Sequence, residues 1–66
     1  MLTTEQIRMS FREMTETGGG FFQAIGFAGL HADETNRTRL YATFEPEILQ
    51  YYKRAERQKE MQYDND

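Results

Sequence analysis

The chain has no cysteine and no tryptophan, and it carries one histidine, one proline and one serine. Without cysteine, disulfides and thiolate metal sites are excluded. A lone histidine, His31, gives no zinc-type ligand cluster. Neither it nor Ser10 stands in a motif that pairs a nucleophile with a base, so no catalytic residue, metal ligand or cofactor is expected. Charge of one sign is not in excess either. Residues 1–33 hold four acids and two bases, residues 34–66 seven acids and six bases, for a net −3. Nucleic acid and anionic lipid reward concentrated positive charge, which bulk composition does not provide here. The longest apolar run, Gly18 to Leu30, is interrupted by Gln23 and is shorter than the ~20 residues a membrane span needs. Arg8, Arg12, Glu13 and Glu16 precede it, which is not the layout of a signal peptide. The expectation is a cytoplasmic protein with no membrane contact.

A chain of 66 residues makes one small domain, which buries only about 60% of the surface its unfolded form exposes. Such a core supplies no more than about 3–5 kcal/mol unless a crosslink, a metal or another subunit helps. With the first two excluded, self-association is expected, as a dimer or higher assembly.

What is present reads as helix. Thr3 and Gln6 fit a capping box, with Leu2 and Ile7 as its hydrophobic staple. Ile7, Phe11 and Met14 recur at i, i+4, i+7, with Arg8, Arg12, Glu13 and Glu16 turned to water and Ser10 on the more polar flank. The first helix is placed at about residues 4–17, ended by Gly18 in the left-handed conformation. Gly18-Gly19-Gly20 is a tight connection rather than a phosphate loop, since neither Lys-Ser nor Lys-Thr follows and no strand precedes. From Phe21 to Ala32 the chain is apolar nearly all round, with Phe21, Ile25, Ala28 and Ala32 in one stripe and Phe22, Gly26 and Gly29 in another. That makes the second helix the expected central, buried element. Gly26 and Gly29 each cost about 1 kcal/mol relative to alanine, a sign of close backbone approach by a neighbouring helix, with a broken or short helix as the alternative. His31 stands where an imidazolium complements the C-terminal dipole.

Asp33 caps the next helix, with Glu34 in its first turn and Leu40, Tyr41 and Phe44 as its buried face. Glu45-Pro46 marks a break and a new start. A fourth helix is expected from Pro46 to Lys59, with Ile48, Leu49, Tyr52 and Ala55 inward. The fold class is therefore all-α: a small bundle of three to four short helices around a central apolar helix. The helical domain is placed at residues 1–61, with a disordered tail at 62–66.

Gly19-Gly20-Phe21-Phe22, then Ala32-Asp33 with Asn36, Arg39 and Leu40, then Phe44-Glu45-Pro46, resembles short helical proteins encoded by bacteriophages and other mobile elements. The resemblance spans roughly residues 18–52 and rests on structural motifs. It implies a small accessory protein that binds and modulates host or phage machinery, and it carries over no functional residue.

The residues themselves support a non-enzymatic protein–protein interaction module, because nine aromatics and four methionines exceed what so small a core can hide. Phe27, Leu30, Tyr41, Tyr51 and Tyr52 are the expected partner-binding side chains, with plain core packing as the alternative for each. A second reading is nucleic-acid binding through Asn36, Arg37 and Arg39 on the third helix together with Lys53, Arg54, Arg57 and Lys59. A helix-turn-helix frame fits it poorly. With Gly29 as the turn, the small position four earlier is Ile25 and the apolar position six later is Thr35. A third is nucleic-acid mimicry by Glu45, Glu47, Glu56, Glu60, Asp64 and Asp66, which Lys53, Arg54, Arg57 and Lys59 interrupt.

Overall fold

A computed structural model describes the backbone of residues 1–64 and the side chains of residues 1–59. Three helices follow one another: α1 Thr4–Thr17, α2 Gly20–His31 and α3 Glu34–Asp64. The protein is a small all-α bundle, and its described residues contain no strand.

Local sequence starts each helix. At α1 the capping box is formed: the Thr3 hydroxyl accepts from Gln6 N–H at 3.1 Å, and Gln6 Oε1 accepts from Thr3 N–H at 2.8 Å. Asp33 Oδ1 accepts from Asn36 N–H at 2.9 Å and caps α3. Helix α2 starts from Gly19, which has no side chain with which to cap it. Gly18 ends α1, but with φ −75° and ψ 155°, so the expected left-handed turn is absent. Glycine is needed there for space: a Cβ would lie 2.6 Å from the Met14 carbonyl oxygen and 3.1 Å from Phe22 Cβ.

The helix at the centre is α1, which corrects the expectation of a buried second helix. Ile7, Phe11 and Met14 of α1 join Ile48 of α3 as the buried apolar core, while α2 buries only Gly26 and Gly29. Helix α1 is enclosed because its two neighbours lie on different sides of it. Ile7, Phe11 and Met14 form one buried stripe, and Gly26 and Gly29 bring the α2 backbone against Phe11, Met14 and Thr15. On the second side, Gln6, Ser10, Glu13 and Thr17 all meet α3. Gln6 Nε2 donates to the Tyr52 hydroxyl at 3.0 Å, and Ser10 Oγ donates to the Ile48 carbonyl at 2.7 Å. Gln58 Nε2 donates to Glu13 Oε2 at 3.3 Å, and Arg54 Nη1 donates to Thr17 Oγ1 at 3.1 Å.

That seam corrects a further expectation for α1: Glu13 is buried, at 4% exposure, not turned to water, and Ser10, placed on the more polar flank, is fully buried as well. Both have partners, so burial does not leave a polar group orphaned. The pairs Leu2–Tyr41, Ser10–Ile48 and Thr17–Arg54 keep a nearly constant sequence separation, so α1 and α3 run in the same direction. Gln23 Nε2 donates to the Thr15 carbonyl and Gly26 meets Thr15, Met14 and the Phe11 carbonyl, whereas Gly29 meets the Phe11 ring, so α2 runs opposite to α1.

The break expected at Glu45-Pro46 between a third and a fourth helix is present as a kink inside α3, where the two helical stretches join without an intervening loop. Phe44 departs from helical geometry, with φ −117° and ψ 28°, two residues before Pro46. Proline removes a backbone donor and its ring crowds the carbonyl four residues back, here Ala42, which bends the helix without ending it. Helix α3 reaches Asp64, so residues 62–64 of the tail expected to be disordered lie within it. Residues 65 and 66 lie outside the described residues.

Candidate functional site

Gly26 and Gly29 decide which side of α2 faces out. Packing the glycine side on α1 leaves the opposite side, Phe21, Ala24, Phe27, Ala28 and His31, open to solvent. Phe21 is 62% exposed and Phe27 53%. Helix α2 contains no Asp, Glu, Lys or Arg, so no acid and no Lys or Arg stands on the open face. Large apolar side chains on one uncharged face are the composition of an interface centre rather than of ordinary surface.

One end of this face is braced. The Phe21 ring stands edge-on to Phe22 and Phe44, with centroids 5.1 and 5.9 Å away, and Phe22 also meets Phe44 and Tyr51, both at 5.8 Å. The kink at Phe44 delivers its ring to this cluster, which ties the start of α2 to the middle of α3. Aromatic edge contacts of this kind add about 0.5–1.5 kcal/mol each beyond area burial.

At its other end the face runs into a groove between α2 and α3 of about 560 Å³, lined by Ala28, His31, Ala32, Asn36, Arg39, Leu40 and Thr43. His31 Nδ1 donates to the Phe27 carbonyl oxygen at 2.9 Å, which leaves Nε2 as the ring nitrogen available to a ligand. Asn36, Arg39, Leu40 and Thr43 follow the i, i+3, i+4, i+7 spacing of one helix side, which is how α3 presents them together.

The side chains expected to bind a partner do not converge. Phe27 is exposed on the α2 face, whereas Leu30 is half-buried and packed on the core. Tyr41 lines a second groove with Leu2, Pro46 and Leu49. Tyr51 belongs to the aromatic cluster, with the Arg54 guanidinium 5.2 Å from its ring centre. Tyr52 accepts from Gln6 and donates to Glu56 Oε2 at 2.9 Å. The hydrogen bond to Glu56, which favours the protonated phenol, raises its pKa above the ordinary 10.0. Phe21, Ala24 and Ala28 were not among the partner-binding side chains expected from sequence. The signal was there in Gly26 and Gly29, since the side opposite two backbone-contact glycines must face away from the neighbour.

The basic residues are likewise divided. Asn36 and Arg39 share the α2–α3 groove, and Arg37 lies on another side with Met1, Leu2 and Tyr41. Lys53, Arg54 and Arg57 stand 14 or more residues further along α3, about 20 Å at 1.5 Å per residue, and Arg54 is engaged by Tyr51 and Thr17. Among the described residues, no group of three or more His, Asp or Glu side chains is placed to hold a metal ion. None of their helices is long and apolar enough to cross a membrane. Comparison with known proteins adds no relative: no family model, curated protein or solved structure matches the chain.

Proposed function

We propose that this protein is a non-enzymatic interaction module that docks on another protein through the outward face of α2. The observation that carries the reading is the exposure of Phe21 and Phe27 on a face without charged side chains. Burying the roughly half of each ring that is still exposed is worth about 1–2 kcal/mol each, enough to make them the anchors of a small interface. Their backbone is held by the glycine contacts with α1 and by the aromatic cluster, so little ordering cost is added on binding. The resemblance to phage-encoded proteins directs the search to host and phage machinery, and the cytoplasm expected from sequence sets the fraction to use.

Affinity capture from such a lysate, read by mass spectrometry, tests the reading. A protein retained by the wild type and lost with Phe27→Glu supports it. A recovered set that is identical for wild type and Phe27→Glu overturns it. When no partner is present, the same face pairs with a second copy, so sedimentation should show weak self-association that Phe27→Glu abolishes. A single 7.8 kDa species at all concentrations tested would remove the pairing. Nucleic-acid binding is the second reading, favoured by Asn36 and Arg39 sharing one groove. It requires retardation of DNA or RNA at low salt that weakens steeply as salt rises.

A further inference from the structure

Every basic residue of the chain except two has an acid three or four positions away along its helix: Arg8 has Glu5, Arg12 has Glu16, Arg37 has Glu34, Lys53 and Lys59 have Glu56, and Arg57 has Glu60. Such spacing provides an intrahelical counter-charge. The exceptions are Arg39 and Arg54. Arg54 is occupied otherwise, by the Thr17 hydroxyl and the Tyr51 ring. Arg39 has Thr35, Asn36, Ala42 and Thr43 at those positions. Its backbone carbonyl accepts from Thr43 Oγ1, and its guanidinium makes no hydrogen bond or ion pair among the described residues. Its guanidinium therefore stands in the α2–α3 groove without a counter-charge.

The groove repeats the same bias. Its lining holds one guanidinium, one imidazole with Nε2 available, one carboxamide and one hydroxyl over an apolar floor of Ala28, Ala32 and Leu40. No acid lines it, although the chain as a whole is net −3. At about 560 Å³ it falls within the size range of sites that take small ligands or a few side chains. It also opens directly beside Phe27, since Ala28 and His31 belong to both surfaces.

We infer that this groove receives an acidic segment of the protein partner, with an aliphatic side chain on Ala28, Ala32 and Leu40 and an adjacent carboxylate paired with the Arg39 guanidinium. Arg39 offers the planar donor fork that a carboxylate fits with two parallel hydrogen bonds. Asn36 and Thr43, one turn to either side of it, and His31 Nε2 across the groove supply the remaining polar contacts. The inference rests on α2 being the docking helix and adds the chemistry of what lies next to it: acidic and aliphatic together, not basic and not purely apolar.

The test is a titration of the ¹⁵N-labelled full chain with two blocked peptides, acetyl-Leu-Glu-Glu-Leu-amide and acetyl-Leu-Gln-Gln-Leu-amide, at low ionic strength so that the charge is not screened. The glutamate peptide should shift the amides of Ala28, His31, Asn36, Arg39 and Thr43, and bind roughly threefold or more tightly than its glutamine twin, as one favourable exposed ion pair allows. Arg39→Gln should bring the two affinities together, whereas Arg37→Gln, on another side of α3, should leave the preference intact. No shifts in the groove, equal affinity for the two peptides, or a preference that survives Arg39→Gln would each overturn the inference. Lysate capture separates the two proposals: a partner lost with Phe27→Glu in the face of equal peptide affinities refutes the acidic segment and leaves the docking helix standing.

Discussion

The glycines of α2 set up a comparison in which one substitution should have opposite signs at two sites nine residues apart. At Gly29 an added Cβ would enter the ring of Phe11, overlapping its Cγ and both Cδ atoms. Phe11 is fully buried, so the ring has no solvent into which to swing. Gly29→Ala gains about 1 kcal/mol of helix propensity. Overpacking costs about 1–3 kcal/mol, and the enclosed ring places this site at the upper end. The net loss is about 2 kcal/mol, a large share of the ~3–5 kcal/mol such a core supplies. In a domain of this size it should lower the melting temperature by about 8–16 °C. At Gly20 nothing lies within 4 Å of the same added atom and φ is not positive. Gly20→Ala should therefore stabilise by about 0.5 kcal/mol, raising the midpoint by about 2–4 °C. Thermal unfolding followed by circular dichroism reads both. A Gly29→Ala variant that melts at or above the wild-type temperature would refute the packing of α2 on α1 through its glycine side, and with it the orientation of Phe21 and Phe27.

Three other variants probe separate joints of the structure. Ser10→Ala removes the hydroxyl that donates to the Ile48 carbonyl and should cost about 1 kcal/mol in urea unfolding; an unchanged midpoint would show that α1 and α3 do not meet there. Asp33→Ala removes the cap of α3 and should cost about 1 kcal/mol by the same measurement, whereas no loss would place the start of α3 elsewhere. Tyr52 holds its proton more tightly in the folded chain, chiefly through its hydrogen bond to Glu56. Its contribution to stability is thus present below the unfolded phenol value near 10.0 and is lost as pH rises through the higher folded one. Tyrosinate absorbance should show a late-titrating component that Glu56→Gln moves to lower pH; identical titrations of the two proteins would refute the contact.

Much of the architecture is written in short-range pattern. The capping box at Thr3, the i, i+4, i+7 series Ile7, Phe11 and Met14, the Asp33 cap and the end of α1 at Thr17 all follow from residues within a turn or two of one another. Backbone donors and helical periodicity are local, so sequence reaches them directly. Proline at 46 was legible as a disturbance, but whether it ends a helix or bends one depends on what holds the two halves in line. Here α3 lies along α1: Leu2, just ahead of α1, meets Tyr41 before the kink, and α1 itself meets Ile48, Tyr52, Arg54 and Gln58 after it.

Which helix occupies the centre was a tertiary decision. Hydropathy marks α2 as the more apolar helix, yet burial follows the number of neighbours, and α1 has one on each side. Its polar residues Gln6, Ser10, Glu13 and Thr17 are matched one by one across α3, so a moderately polar helix can be enclosed at little cost. The glycines of α2 let it lie flat on α1 and leave Phe21 and Phe27 outside. The candidate site inherits that division. Phe27 was legible as a large apolar residue in a small chain, whereas the groove joining His31 to Arg39 exists only because the α2–α3 connection sets two helix sides against each other. Local sequence determines which residues form each helix; which of their sides remain exposed is settled only when the helices compete for one another's surfaces.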